Sequence, residues 1–494
     1  MSEYAPAASP TPEPAPLATR WLGLSGICLG VFMFTLDASI VNVAMPTFVK
    51  AFGTTFAAVQ WVVLIYLLIA TALVMAAAWL GDVYGRRRAY LFGLALFTFG
   101  STLCGLAPSI GWLIAFRAVQ GLGAVFVSAL GAAIVGEMFP PQQRGKALGM
   151  IGSAVLLGVA IGPSVGGIII DVAGWRWMFF VNIPVGFVAI TVVYRFVPDI
   201  PPRSVNARFD WIGTVLASVM LSSLALGLTW GQRDGFGTPL VLGLLAAFAI
   251  GLPAFLVVEA HSQAPLLDLR LFGNKPFATG LLMASLVFLV LAGTGFLLPF
   301  FLEVVARFPT SKVGLLLAIS PIVGGVVAPF GGSLADRFGS GRVTLTGLSF
   351  VTLGLLSFTT VDADLSILGY ALRVAPIGLG MGLFNASNNA TILNAVSRER
   401  LGIASALLSL MRTLGQTTGV PLLAAVFSLV ALGHGGATSH QALLALPADS
   451  LVRGMRWANA VAVCIVLLGV AAGVTQLVRS RRAALSGGAS MRAR

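Results

Sequence analysis

Charge is what this sequence has least of. Thirty Lys and Arg and seventeen Asp and Glu leave it 10% charged and 57% hydrophobic over 494 residues. Soluble domains carry about 25% charged residues, so a soluble globular chain is excluded. Only three histidines occur, His261, His434 and His440. All fall in polar connectors, which leaves no imidazole inside the apolar runs to relay protons. Cys28, Cys104 and Cys464 stand singly in apolar stretches without CxxC spacing, which argues against a disulfide or metal framework. None of the four lysines sits in GxxxxGK[ST], so no ATP-binding P-loop is present. With no metal-ligand cluster and no nucleophile–His–acid set, neither an enzyme nor a primary pump is expected, and no cofactor is implied.

What is abundant is apolar length. Runs of about 18 or more residues read as membrane spans. Such runs fall near 21–46, 58–80, 89–107, 111–136, 147–170, 178–197, 211–230, 239–258, 277–303, 313–335, 343–360, 365–393, 402–431 and 455–478. The expectation is an all-α polytopic membrane protein of fourteen spans. It divides into a Pro/Ala-rich disordered cytoplasmic tail (1–20), a six-helix bundle (21–197) and a linker carrying two additional spans (198–275). A second six-helix bundle (276–478) and a basic cytoplasmic tail (479–494) follow. Residues 1–19 lack the basic and apolar regions of a signal peptide, so the first span itself is expected to carry targeting.

The net charge of +13 invites a nucleic-acid reading, but its distribution does not. With both termini placed in the cytoplasm, twenty Lys and Arg fall on the inner side and seven outside. The other three, Arg117, Arg373 and Arg412, lie within spans. That is the positive-inside bias of a cell-membrane protein, not a groove for phosphates.

The chain also says one thing twice. Ala78-Trp-Leu-Gly81-Asp82-Val-Tyr-Gly85-Arg86-Arg87-Arg88 ends one apolar stretch, and Gly332-Ser-Leu-Ala335-Asp336-Arg337-Phe-Gly339-Ser-Gly-Arg342 ends another. Each is followed, two stretches on, by an arginine and glycines: Arg117-Ala-Val-Gln-Gly121-Leu-Gly123 and Arg373-Val-Ala-Pro-Ile-Gly378-Leu-Gly380. Duplicated membrane halves are a common build of secondary transporters, with the substrate site between them.

Asp37 is read as the only acid well inside a span, about 24 Å from Trp21 at 1.5 Å per residue. An ionised carboxylate there costs on the order of 2.5–3.5 kcal/mol. It should therefore face a cavity, pair with a cation or take up a proton. Arg117 is its electrostatic complement. Its guanidinium keeps its proton, so it serves either a proton relay beside Asp37 or a structural bond to backbone carbonyls. Arg373 and Arg412 are buried cations for which structure and function stand level. Glu303 could line a vestibule or be a solvated helix end. Asp82 and Asp336, with Gly85, Arg86, Arg337 and Gly339, read as a gate at the membrane interface. Gly158, Gly162 and Gly166 recur every fourth residue beside Pro163 and Gly167, a face that admits a close neighbour on a kinked helix.

These residues resemble the major facilitator superfamily, in particular its fourteen-span drug:proton antiporter branch, over about residues 20–480. The loop pattern matches at Gly332–Gly339 and imperfectly at 78–88, where Ala78, Gly81 and Val83 replace glycine, alanine and arginine. Arg117-x-x-Gln120-Gly121-x-Gly123 is similar to the fourth-span motif, and Gly158-x-x-x-Gly162-Pro163-x-x-Gly166-Gly167 to the fifth-span antiporter motif. Leu36-Asp37-x-Ser39-Ile-Val-Asn42-Val-Ala44-Met45-Pro46 and Trp175-Arg-Trp177-Met-Phe-Phe-Val-Asn182-Ile-Pro184-Val-Gly186 resemble the first- and sixth-span signatures of that branch. The resemblance implies the major facilitator fold, with two bundles rocking about a central cavity. It also implies proton-coupled export of small amphipathic drugs or metabolites, with Asp37, Arg117, Asn42 and Glu303 as coupling and substrate candidates. Phe32, Phe34, Trp61 and Tyr66 are candidate cavity walls, with a lipid-facing position the equal alternative. The acid-free tenth span argues against divalent cations and leaves monovalent cationic, zwitterionic or neutral lipophiles. The expected partners are substrate, protons and the lipid bilayer, with the chain acting as a monomer. Two rivals remain: a symporter or facilitator importing a solute on the same fold, and a non-transporting membrane sensor or scaffold, since fold alone does not fix function.

Overall fold

The computed structural model describes residues 17–54, 56–199, 210–262, 267, 269–397, 400–432 and 446–492. Among them all regular structure is helical. The helices are α1 (Leu17–Phe52), α2 (Phe56–Tyr84), α3 (Arg86–Gly105), α4 (Ile110–Met138), α5 (Pro141–Ala173), the short α6 (Trp177–Phe180) and α7 (Asn182–Phe196). There follow α8 (Trp211–Asp234), α9 (Pro239–His261) and α10 (Lys275–Phe300), which ends in a π-helical turn, Phe301–Val305. The remainder are α11 (Thr310–Leu317), α12 (Ile319–Phe338), α13 (Ser340–Phe358), α14 (Ile367–Asn394), α15 (Leu401–Leu432) and α16 (Ala448–Arg492). In hydrocarbon each backbone polar group must be satisfied within the chain, which is why apolar runs of this length become helices.

Among the described residues twelve helices are long and apolar enough to cross a membrane, and α2, bent by 42° between Ala70 and Ala72, raises the number to as many as thirteen. The expected fourteenth, α3, is not among them. It opens on Arg86, Arg87 and Arg88 and is 20 residues long, so its apolar content is diluted although it packs between α2, α4 and α7.

The duplication seen in the sequence is a duplication of packing. Gly85 (φ 97°) separates α2 from α3 and Gly339 (φ 89°) separates α12 from α13. A single residue turns the chain in each case, with a positive φ that only glycine adopts without strain. Eight residues on, Gly93 lies against Phe126 and Gly123 of α4, as Gly347 lies against Gly380 and Phe384 of α14. Seven further on, Gly100 meets the Gln120 backbone and Gly354 the Arg373 carbonyl. Small residues at these crossings let the backbones touch, the main source of helix association where no hydrophobic drive exists.

The inserted pair lies to one side. α8 packs on α9 and also touches α2 and α15; Ser218 Oγ donates to the Ala72 carbonyl at 3.0 Å. α9 has few other neighbours and is largely exposed along its length.

The two halves meet along α5 with α12 and α14, and along α15 with α2 and α4. Cross-seam hydrogen bonds gather toward the ends that carry the repeated loops. Ser153 Oγ donates to the Gly325 carbonyl (2.6 Å), Ser409 Oγ to the Ser128 carbonyl (3.1 Å) and Arg144 Nη1 to Asn394 Oδ1 (2.9 Å).

Candidate functional site

Side chains from α4 and α7 converge on Asp37 of α1, and α3 supports them through Ser101. Its Oδ2 accepts from Arg117 Nη1 at 2.5 Å, and its Oδ1 accepts from Gln120 Nε2 and Asn182 Nδ2, each at 2.9 Å. Asp37, Arg117 and Asn182 are each 1% exposed and Gln120 is fully buried. Arg117 Nη1 also reaches Gln120 Oε1 (2.7 Å), its Nε reaches the Val62 carbonyl (3.2 Å), and the guanidinium lies 4.3 Å from the Tyr66 ring centre. Asn182 Nδ2 is 2.9 Å from Ser101 Oγ, which in turn donates to the Phe179 carbonyl. The pair thus has the extra hydrogen bonds that a buried ion pair needs to offset its desolvation.

Of the readings open for Asp37, the structure selects pairing with a cation; in this conformation the carboxylate does not face an open cavity. Arg117 combines the ion pair with the backbone-carbonyl bond posed as its alternative. Gln120 and Asn182 were quoted in the motifs without a role. The i,i+3 spacing of Arg117 and Gln120, which puts both on one helix face, was the available signal. Nothing local in the sequence points from Asn182 to Asp37. Asn42 lies on α1, but its side chain is outside the described residues.

The glycine face of α5 packs on α1 beside this site. A methyl group at Gly158 would overlap Thr35 Oγ1 and one at Gly162 would overlap Ser39 Oγ, while at Gly166 it would meet Ile40 Cγ1 at 3.2 Å. Ser39 Oγ donates to the Gly158 carbonyl at 3.2 Å. Gly167 has open space and Pro163 is exposed. The second half repeats the device: Gly415 lies on Ser285 and Leu289 of α10, and Gly419 on Leu289. The face is a contact within each half, and the seam between halves uses other glycines, Gly145, Gly149, Gly324 and Gly332.

The repeated loops do reach that seam. Asp336 Oδ1 accepts from the Gly145 N–H (2.9 Å) and Oδ2 from the Lys146 N–H (3.1 Å), both in the second turn of α5. Asp82 sits over Gly402 in the first turn of α15, where a methyl group would lie 2.6 Å from its Oδ1. Each half therefore lays its loop aspartate on the start of a helix of the other, where the helix dipole favours an anion. The clasps differ. Arg86 binds Asp82 (2.7 Å) and also Glu137 (2.6 Å), whereas Arg337 is exposed and lies over its neighbour Phe338.

The other candidates separate. Arg373 Nε donates to the Ser357 carbonyl and Nη1 to the Gly369 carbonyl, each at 3.0 Å. Among the described residues Arg412 has the Phe288 ring, 4.7 Å from the guanidinium carbon to the centroid, and its buried Nε has no hydrogen-bond partner. Glu303 is exposed on the π-helical turn. Two further acids are buried near span ends, which qualifies Asp37's standing as the one interior acid. Glu137 has a side chain 5% exposed, and Glu259 is 3% exposed, its Oε2 accepting the Leu267 N–H at 2.8 Å. Of the proposed wall aromatics, Phe32 lines an apolar cavity of about 500 Å³ between α1, α5 and α12. Phe34 packs on a hydrophobic core drawn from both halves, Trp61 on Trp230 (6.1 Å) and Tyr66 on Arg117.

A duplicated helical bundle with a buried ion pair in one half and aspartate clasps across the seam defines a class of membrane transporters. Comparison with known proteins makes the class specific. The chain belongs to the Major Facilitator Superfamily, whose profile matches residues 27–420. It is 32% identical to the riboflavin transporter RibZ of Clostridioides difficile (83% of this chain, 88% of that one). It is 34% identical to the multidrug resistance protein Stp of Mycobacterium tuberculosis (83% and 76%). Its fold is similar to that of the human organic anion transporter MFSD10 (TM-score 0.63, 16% identity, 93% and 100% covered).

Proposed function

We propose that this transporter is a proton-coupled antiporter of the fourteen-span branch that exports small amphipathic molecules from the cell by alternating access. The observation that carries the reading is the sealed Asp37–Arg117 pair. A charge pair 1% exposed exchanges protons with neither side, so titration of Asp37 requires the other conformation. In that state a proton on Asp37 removes the anion that Arg117, Gln120 and Asn182 hold, and substrate occupancy can be coupled to its release. The glycine contacts of α5 fall on Thr35, Ser39 and Ile40 of α1, within three residues of Asp37, so movement of α5 is carried to the helix that bears the carboxylate. Asp82 and Asp336 act as clasps that hold the halves together on one side and let go on the other. Placed in the cell membrane with both termini in the cytoplasm, the clasped face is the cytoplasmic one, and the described state is closed toward the cytoplasm.

Relatives named for multidrug resistance support export of drugs or antibiotics. The relative named for riboflavin transport favours a second reading, uptake of a small solute on the same fold. Everted membrane vesicles separate them. Export predicts that an imposed inside-acid gradient drives accumulation of an amphipathic dye from a panel of one anionic, one neutral and one cationic dye, and that adding the accumulated dye to purified protein in weak buffer releases protons. Uptake that dissipates the gradient in the opposite sense supports import, and dye movement indifferent to the gradient refutes coupling.

A further inference from the structure

Three arginines lie inside spans, and the structure gives them three different surroundings. Arg117 is saturated by Asp37, Gln120, a backbone carbonyl and an aromatic face, and Arg373 by two backbone carbonyls. Arg412 has the face of Phe288 and nothing else among the described residues. A guanidinium carries five N–H donors in one plane. Stacking on a ring uses the face of that plane and leaves the donor edge open. A cation at membrane depth with an open donor edge is unfavourable unless an anion completes it.

Its depth in the membrane is that at which a substrate contact would lie. Arg412 is eleven residues into α15, about 16 Å from the clasped end, near the midplane where such transporters bind cargo. Around the helix, Ser409 points across the seam to Ser128 of α4, while Gly415 and Gly419 lie on α10. At 3.6 residues per turn Arg412 falls between these sectors, toward the space between α4 and α10. Gln416, one turn on in the same sector, is exposed. Ser405, two turns back, is buried with its Oγ unpartnered. The described acids of the second half, Glu303, Asp336, Asp362, Asp364 and Asp449, stand at helix ends or in connectors. The missing anion is therefore not one of them.

We infer that Arg412 is the anion-recognising residue of the transport cavity, and that its ligand is an amphipathic monoanion, a carboxylate or sulfonate on an apolar ring. This rests on the transporter reading, gives its cargo a charge, and departs from the cationic, zwitterionic or neutral lipophiles expected from the sequence. The carboxylate would bond the open donor edge of Arg412 in place of water, with Gln416 beside it as a neutral donor.

The test is equilibrium binding to the full chain in lipid nanodiscs without any gradient. Three radiolabelled probes share one ring and differ in charge: 1-naphthoate, 1-naphthamide and 1-naphthylmethylammonium. The wild-type protein should bind naphthoate at least tenfold more tightly than either other probe. Arg412→Gln should abolish that preference and Arg412→Lys should keep part of it. Arg412→Met, which removes a cation lacking any ionic or hydrogen-bond partner, should leave the unliganded unfolding temperature unchanged or raised, whereas loss of a structural arginine would lower it. Absence of naphthoate preference, a preference intact in Arg412→Gln, or a lowered unfolding temperature in Arg412→Met overturns the inference. A protein that selects naphthoate through Arg412 yet exchanges no protons would leave the inference standing and overturn the antiport reading alone.

Discussion

Asp37 and Arg117, 80 residues apart in sequence, share a 2.5 Å hydrogen-bonded ion pair in which each side chain is 1% exposed. The pair is intramolecular to the first half, so it registers the internal arrangement of α1, α3, α4 and α7 and not directly the opening of the seam. Two helices link that pair to the seam: α5, which packs on α1 with one set of glycines and on α12 with another, and α4, which carries Arg117 and meets α15 at Ser128.

Asp37→Asn should abolish proton release on substrate addition. It should also strand Arg117 in a buried site at a cost of about 3–5 kcal/mol, seen as a lowered unfolding temperature. Combining it with Arg117→Met should restore most of the stability but none of the proton release. Proton release unchanged in Asp37→Asn would move the coupling site elsewhere, Glu303 being the next acid to test.

Gly162→Ala should destabilise the purified protein by about 1–3 kcal/mol, as overpacking of a close contact does, and Ser39→Gly should recover part of the loss. Gly166→Ala should be milder, because its new methyl group meets Ile40 at 3.2 Å and that side chain can give. Thermal unfolding in detergent ranks the three; equal effects would show that α5 does not bear on α1 at Ser39.

Asp336→Asn keeps one acceptor where two charge-assisted bonds stood. Losing one is worth about 1.5–3 kcal/mol, a shift of roughly tenfold to a hundredfold in the population of the clasped state. Paired spin labels on the clasped ends of α5 and α12 should report a second, longer distance in the variant. A distance distribution identical to wild type would remove Asp336 from the gate.

Arg373→Lys loses one of two carbonyl bonds and should cost about 1 kcal/mol of stability with transport preserved. Loss of transport at unchanged stability would give Arg373 a role beyond bracing α14 on α13.

How far the sequence could be read follows from what each feature depends on. Helices, the repeat and the turns at Gly85 and Gly339 are local matters of apolar length and backbone freedom, and all are visible in the chain. Asp37 with Arg117 was legible because a lone acid and a lone cation in hydrocarbon have few other ways to be tolerated. Asn182 was not, since an amide announces no partner across 145 residues, and Gln120 was legible only through its i,i+3 spacing from Arg117. The glycine face was seen, but not whether it met α1 or the seam, because spacing fixes a face and leaves its neighbour open. Arg373 and Arg412 look alike in the chain, each a cation in an apolar run, and only the fold shows that one reaches carbonyls and the other does not.

The two clasps leave different marks on sequence divergence. Within the first half, Asp82 and Glu137 both bind Arg86 through side chains, so a change at one of the three positions should be tolerated only with a matching change at another. Asp336 binds N–H groups that every residue but proline supplies. Its partners can drift freely, except at Gly145, where a methyl group would lie 2.5 Å from the carboxylate. Among related chains the first clasp should therefore appear as a covarying trio, and the second as a solitary aspartate facing a position that stays glycine.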